Sequence, residues 1–182
     1  MADLLQGIDF RLTSLAEHAG VTLPPEGETS YRDNALGKAR AAARATGLLA
    51  LGDDSGLEVD ALGGRPGVLS ARLGGPGLDD AGRCRALLAE LAGVPAARRT
   101  ARFRCLVAIA DAAGREATAE GVVEGRILEA PRGTGGFGYD PLFHYAPLGG
   151  TFGELAADAK RGVSHRALAL AQARGLLRDW PR

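Results

Sequence analysis

Two adjacent carboxylates, Asp53 and Asp54, stand between glycines in Gly52-Asp53-Asp54-Ser55-Gly56, directly after the apolar run Leu48-Leu49-Ala50-Leu51. The run reads as a buried strand, which places the acidic pair at a strand end. Like charges side by side repel, and burial raises that cost. A divalent cation relieves it, and hard oxygen ligands of this kind suit Mg²⁺. Ser55 adds a hydroxyl, and the flanking glycines let a ligand approach the backbone closely. Asp, Ser and Gly are also turn formers, so a plain turn is the competing reading.

Other residues offer complementary chemistry. Of 22 lysines and arginines only Lys38 and Lys160 are lysine, and a lysine supplies a compact point charge where arginine supplies a planar fork. At 100° per residue Lys38 shares a helix face with Tyr31, Asn34, Ala35 and Ala42, while Arg40 and Arg44 lie opposite. On that small-residue face Lys38 either snorkels or reaches a buried anion such as phosphate. Gly133-Thr134-Gly135-Gly136-Phe137-Gly138 matches G-x-G-x-x-G in form only, because Tyr139-Asp140-Pro141 follows and no helix begins there. In this loop Phe137 and Tyr139 serve either to stack on a flat base or to plug the space beneath the loop. Ser164-His165-Arg166 opens the last helical pattern, where free N–H groups favour an acceptor; a plain cap is the alternative. Glu26, in a Pro/Gly loop, is a second metal carboxylate or a solvated side chain.

The elements that must carry these residues are readable from caps and periodicity. Ser30 caps a helix over Tyr31 to Thr46 that Gly47 ends. Alternation predicts a strand over Ile8 to Leu15, and apolar runs predict strands over 48–53 and 56–61. A Gly/Pro-rich loop covers 62–77, and a helix runs from about Asp79 to Ala92 before Gly93. Ala101 to Asp111, a turn at Ala112-Ala113-Gly114 and a return strand over 115–129 make a hairpin. A glycine-rich loop spans 130–141, followed by a short strand from Leu142 to Tyr145. Thr151 and Glu154 form a capping box for a short helix to about Lys160, and Ser164 caps a terminal helix through Leu177. The expected fold is α/β: a single domain over residues 1–182 with a long bent mixed sheet flanked by helices.

Composition excludes some classes. The 182 residues suffice for one sizeable core, and hydrophobic (46%) and charged (24%) contents are those of a globular domain. A formal net charge of +0 gives no electrostatic case for nucleic-acid or membrane binding. No stretch is apolar enough to span a bilayer, and Met1-Ala2-Asp3-Leu4-Leu5-Gln6 lacks the features of a signal peptide, so a cytoplasmic protein is expected. Cys84 and Cys105 have no metal-ligand spacing and are expected as reduced thiols.

Taken together, several segments resemble one family: Asp33-Asn34-Ala35 with Lys38-Ala39-Arg40, the run from Gly52 to Gly64, Pro66-Gly67-Val68 with Ser70-Ala71-Arg72, Gly133 to Pro141, and Ser164-His165-Arg166. The chain is similar in order and spacing to the inosine triphosphatase or Ham1-like pyrophosphatases, which act on non-standard purine nucleoside triphosphates. The resemblance implies a homodimer with a Mg²⁺-dependent cleft that hydrolyses ITP, dITP and XTP to the monophosphate and pyrophosphate. By position, it implies Asp54 as catalytic carboxylate and metal-site residue, Asp53 as its support, Glu26 as the second metal carboxylate and Lys38 as a phosphate-binding residue. It implies substrate binding by Ser55, Phe137, Gly138, Tyr139, Asp140, Lys160, His165 and Arg166. Donors from Lys160, His165 and Arg166 would pair with a 6-oxo group and oppose the 6-amino group of adenine. Guanine also carries a 6-oxo group, so its exclusion must come from elsewhere.

The family's opening strand and T/S-x-N-x-x-K loop have no counterpart here, and Met1-Ala2-Asp3-Leu4-Leu5 is similar to the middle of the family's next helix. A start codon placed too late is the expectation. A truly shortened chain would make this a catalytically weak nucleotide-binding protein. A third reading is a general phosphatase using the paired aspartates, which predicts orthophosphate and indifference to the base.

Overall fold

Ser30 and Gly47 delimit the first regular element as the caps require. The Ser30 side chain accepts the Asp33 N–H at 3.1 Å, α1 covers Tyr31–Thr46, and Gly47 closes it at φ 70°. The structure, a computed structural model, describes residues 10–181 together with Leu5, Gly7 and Ile8. The opening stretch Met1 to Leu4, on which the question of a missing strand turns, lies outside the described residues.

Beyond α1 the elements are β1 (Ala50–Val59), β2 (Pro66–Gly67), α2 (Asp80–Glu90), β3 (Thr100–Ala110), β4 (Glu116–Ile127), β5 (Phe143–Tyr145), β6 (Gly150–Thr151), α3 (Ala157–Val163) and α4 (His165–Arg178). The six strands form one sheet in the order β2-β1-β3-β4-β5-β6. Leu57 faces Gly67 across β1 and β2, Ile127 faces Phe143 across β4 and β5, and His144 faces Thr151 across β5 and β6, all antiparallel. The expected α/β fold is the one observed, with an antiparallel sheet in place of the expected mixed one.

Three local expectations are corrected. Gly52 to Gly56 is neither a strand end nor a turn: β1 runs through it without a break. Residues 10–14 form no strand, and Leu15–Glu17 is a single 3₁₀ turn. Of the apolar members of that alternation only Ile8 is half-buried against the core; Phe10, Leu12 and Leu15 are exposed, so no continuous buried face rewards pairing. The reciprocal bonds of Thr151 and Glu154 do form, at 2.8 and 3.2 Å, but they close a turn; α3 starts only at Ala157.

The chain divides into two compact units, the first made of Met1–Asp54, Cys105–Gly121 and His165–Arg182, the second of Ser55–Arg104 and Val122–Ser164. In the first, β3 carries apolar side chains on both faces, as a doubly covered strand must. Ala108 and Ala110 pack with Ala35, Ala39 and Ala43 of α1. Cys105, Val107 and Ile109 pack with Ala169, Leu170, Ala173 and Leu177 of α4. The second unit is built around Leu57, Val59, Leu87, Leu91, Leu142 and an aromatic group in which Phe143 lies 4.5 Å from Phe103 and 5.0 Å from Phe152, centroid to centroid.

Candidate active site

Successive side chains of a strand point to opposite faces, and this decides how Asp53 and Asp54 coexist. Ala50, Gly52 and Asp54 are buried, whereas Leu51 and Asp53 are half-buried on the alternate positions. The pair therefore does not need a shared cation, as its adjacency in sequence suggested. Each carboxylate has its own: Asp54 Oδ1 lies 3.2 Å from Lys38 Nζ of α1, and Asp53 Oδ2 accepts from Arg166 Nε and Nη2 of α4 at 3.0 and 2.8 Å.

Gly52 brings α1 down onto β1. A Cβ there would stand 2.5 Å from the Ala35 carbonyl oxygen and 2.8 Å from the Ala39 nitrogen, so only glycine permits this approach. The consequence is that Asn34 and Lys38, one turn apart on α1, both reach Asp54. Asn34 Nδ2 donates to Asp54 Oδ2 at 2.9 Å. The same amide accepts the Gly27 N–H at 2.7 Å and donates to the Gly27 carbonyl at 3.2 Å, which fixes its orientation and pins the residue next to Glu26. Asn34 is the residue at Asp54 that sequence reasoning left unassigned, although its place on the Lys38 face was an available signal.

Lys38 is the centre of an oxygen cluster. Its Nζ lies 2.5 Å from Glu26 Oε1, 3.0 Å from the Asp53 carbonyl oxygen and 3.2 Å from Asp54 Oδ1. Partial burial pulls the Lys38 pKa down, but the hydrogen bonds and charges of Glu26 and Asp54 outweigh it and hold the pKa above its ordinary value. The ammonium stands where oxygens from three residues converge, so the donor set fits a hard cation. Two carboxylates suit Mg²⁺, which retains waters and substrate phosphates among its ligands.

A second constellation lies in the glycine-rich loop. Its two aromatics separate: Tyr139 is buried and donates its hydroxyl to the Ser70 carbonyl at 2.7 Å, whereas Phe137 is 57% exposed. Tyr139 is the plug, and burial raises its hydroxyl pKa. Asp140, only 1% exposed, accepts the Phe137 N–H at 2.8 Å and pairs with Lys160 Nζ. Lys160 Nζ also stands 4.6 Å from the centroid of the Phe137 ring. Gly138 has φ 61°, a left-handed conformation suited to glycine. Ser55 follows Asp54 in β1 and is half-buried, and His165 is buried at the first position of α4. Glu26, Lys38, Asp53, Asp54 and Arg166 thus gather in the first unit, and Phe137, Gly138, Tyr139, Asp140 and Lys160 in the second.

Comparison with known proteins adds an independent line. The sequence model of the Ham1 family matches residues 1–176. The chain is 50% identical over 177 residues to the dITP/XTP pyrophosphatase of Desulforamulus reducens, covering 97% of this chain and 88% of that protein. The structure of a HAM1 protein from Coxiella burnetii superposes with a TM-score of 0.87 at 37% identity, covering 96% of this chain and 89% of that one. A nucleoside-triphosphatase / dITP/XTP pyrophosphatase from Mycobacterium abscessus superposes with a TM-score of 0.80 at 42% identity, covering 97% and 92%.

Proposed function

Because the chain belongs to the Ham1 family, we propose that it hydrolyses the non-standard purine nucleoside triphosphates ITP, dITP and XTP to the monophosphate and pyrophosphate. The observation that carries this reading is the convergence of Glu26 Oε1, the Asp53 carbonyl and Asp54 Oδ1 on one cation, Lys38 Nζ, at 2.5, 3.0 and 3.2 Å. It joins an acidic pair able to hold Mg²⁺ to a lysine able to steady phosphate. The names of the relatives support the substrate class.

Glu26 and Asp54 are the residues that would hold Mg²⁺. When bound, that ion offsets charge on the triphosphate and lowers the pKa of water. Asp54 takes a proton from the attacking water; a bond forms from its oxygen to the α-phosphorus, and the bond from that phosphorus to the bridging oxygen breaks. Pyrophosphate leaves with that oxygen, and no covalent intermediate on the protein is required. Asn34, bonded to Oδ2, fixes the carboxylate so that Oδ1 faces Lys38. Lys38 steadies the phosphates, and Arg166 holds the Asp53 carboxylate through Nε and Nη2.

Phe137 offers an exposed ring for the base. The family resemblance assigns Lys160, His165 and Arg166 as donors for the 6-oxo group of hypoxanthine and xanthine and Ser55 and Gly138 to the remaining contacts, while Tyr139 and Asp140 anchor the loop. Adenine presents a donor where these residues need an acceptor, which is the kind of mismatch that discriminates strongly. The expected setting is a cytoplasmic homodimer without nucleic-acid or membrane partners; no helix among the described residues is long and apolar enough to cross a membrane.

The test is a panel of dITP, XTP, ATP and GTP with Mg²⁺, scored separately for pyrophosphate and orthophosphate. Pyrophosphate from dITP and XTP, with ATP a poor substrate, is expected. Orthophosphate released without regard to the base would favour the general phosphatase, and binding without turnover the nucleotide-binding protein.

A further inference from the structure

One residue of the glycine-rich loop is gripped from both sides of its backbone. Asp80 Oδ2, at the first position of α2, accepts the Gly138 N–H at 2.6 Å. Cys84, one helical turn on, lies with Sγ 3.4 Å from the Gly138 carbonyl oxygen as donor. Positions i and i+4 lie on one helix face, so a single turn of α2 holds both polar groups of one residue. Asp80 Oδ1 is itself held by Arg83 Nη2 at 3.0 Å, which fixes the carboxylate. Burial first, then the charges of Asp80 and Asp140, push the Cys84 thiol up to about 11, so the S–H donor is retained at neutral pH.

Gly138 lies between the exposed Phe137 and the anchored Tyr139, and its φ of 61° sets the angle between them. Tyr139 is tied to the Ser70 carbonyl, and Phe137 to Asp140 through its N–H. The middle of the loop has α2 as its support.

We propose that Asp80 and Cys84 are positioning residues for base recognition: by holding the N–H and C=O of Gly138, they set the Phe137 ring and its neighbour Lys160 in the orientation that selects the base. This rests on the pyrophosphatase reading above. Neither residue touches the substrate; both act through Gly138.

The experiment compares the full chain with Asp80→Ala, Asp80→Asn and Cys84→Ala. It reads hydrogen exchange of the Gly138 amide by NMR, and kcat and KM for dITP and ATP. Asp80→Ala should expose the Gly138 amide to exchange while amides of β3 stay protected. It should raise KM for dITP about tenfold, with kcat changed less than about threefold, and lower the dITP-to-ATP preference about tenfold, the loss expected for one charge-assisted bond. Asp80→Asn retains an acceptor oxygen and should restore most of the preference, whereas Cys84→Ala should cost about threefold. Unchanged Gly138 exchange in Asp80→Ala, or freed exchange with unchanged preference, overturns the proposal. If the unaltered chain releases no pyrophosphate from any nucleotide, the pyrophosphatase reading has failed; the exchange arm then still decides whether α2 holds the loop.

Discussion

Asn34 Nδ2 donates to Asp54 Oδ2 at 2.9 Å, linking the first turn of α1 to the middle of β1. This contact orders the carboxylate on which the proposed hydrolysis depends. It also decides which substitution hurts most. Asn34→Ala removes the bonds that this amide makes to Asp54 Oδ2 and to Gly27, and should cost about 1–3 kcal/mol of stability and about tenfold in kcat. Asn34→Asp places acceptors against acceptors and a second charge beside Asp54, so it should be worse than alanine in both. Thermal unfolding and pyrophosphate release check the ranking, and a milder aspartate variant would contradict the assigned orientation.

Gly52→Ala tests the approach of α1 to β1. The new Cβ meets the backbone of Ala35 and Ala39 at 2.5 and 2.8 Å, and backbone does not yield as a side-chain tip does. Overpacking of this kind costs about 1–3 kcal/mol. For a chain of this size the expected fall in Tm is roughly 2–4 °C per kcal/mol. Because α1 carries Asn34 and Lys38, kcat/KM should fall by more than the loss of folded protein explains. A Tm within 1 °C of the unaltered chain, roughly the scatter expected of a neutral surface change, would refute the close-approach account.

The Lys38 pKa lies above its ordinary value, and the sign of the linkage follows. A base whose pKa is raised on folding contributes stability that is fully present below its unfolded value, near 10.4, and is lost as pH climbs through the folded value. The stability difference between the unaltered chain and Lys38→Met should therefore be constant from neutral pH to about pH 10, then shrink. Denaturant unfolding at stepped pH reads this. A difference that widens above pH 10 would mean that Glu26 and Asp54 do not hold the ammonium.

Lys160→Ala removes the cation held by Asp140 and set against the Phe137 ring. The expected result is a loss of preference for dITP over ATP by about tenfold or more, with pyrophosphate still the product. Unchanged selectivity would remove Lys160 from the base site.

How much of this was legible in the sequence depends on the range of the interaction. The Ser30 and Gly47 caps and the hairpin joining β3 to β4 are local signals, and each stands where its residues predict; the helix expected from about Asp79 to Ala92 is present as α2, two residues shorter at its C-terminal end. Gly52 to Gly56 misled because glycine and aspartate are poor strand formers in isolation. What keeps them extended is the close approach of α1 and the cations Lys38 and Arg166, one on either side. The pairing of Glu26 with Lys38 and of Arg166 with Asp53 joins segments far apart in sequence, so types and positions nominated these residues but not their partners. Three of the four boundaries between the two units fall inside β1, β3 and β4, at 54–55, 104–105 and 121–122, where no linker composition marks them, and the fourth falls at 164–165, between α3 and α4. Asn34 went unassigned because an asparagine carries no charge, although it lies in a segment that resembles the family and on the Lys38 face; its contact with Asp54 exists only where α1 meets β1.

The most direct test of the central claim is the rate of pyrophosphate release from dITP by Asp54→Asn beside the unaltered chain, at saturating Mg²⁺. Asparagine fills the same space and can still face Asn34 and Lys38, but it takes no proton from water. The account predicts a cooperatively folded variant slower by about 100-fold or more. A folded Asp54→Asn protein within about threefold of the unaltered rate, well short of what a general base supplies, would contradict the role of Asp54 and the mechanism built on it.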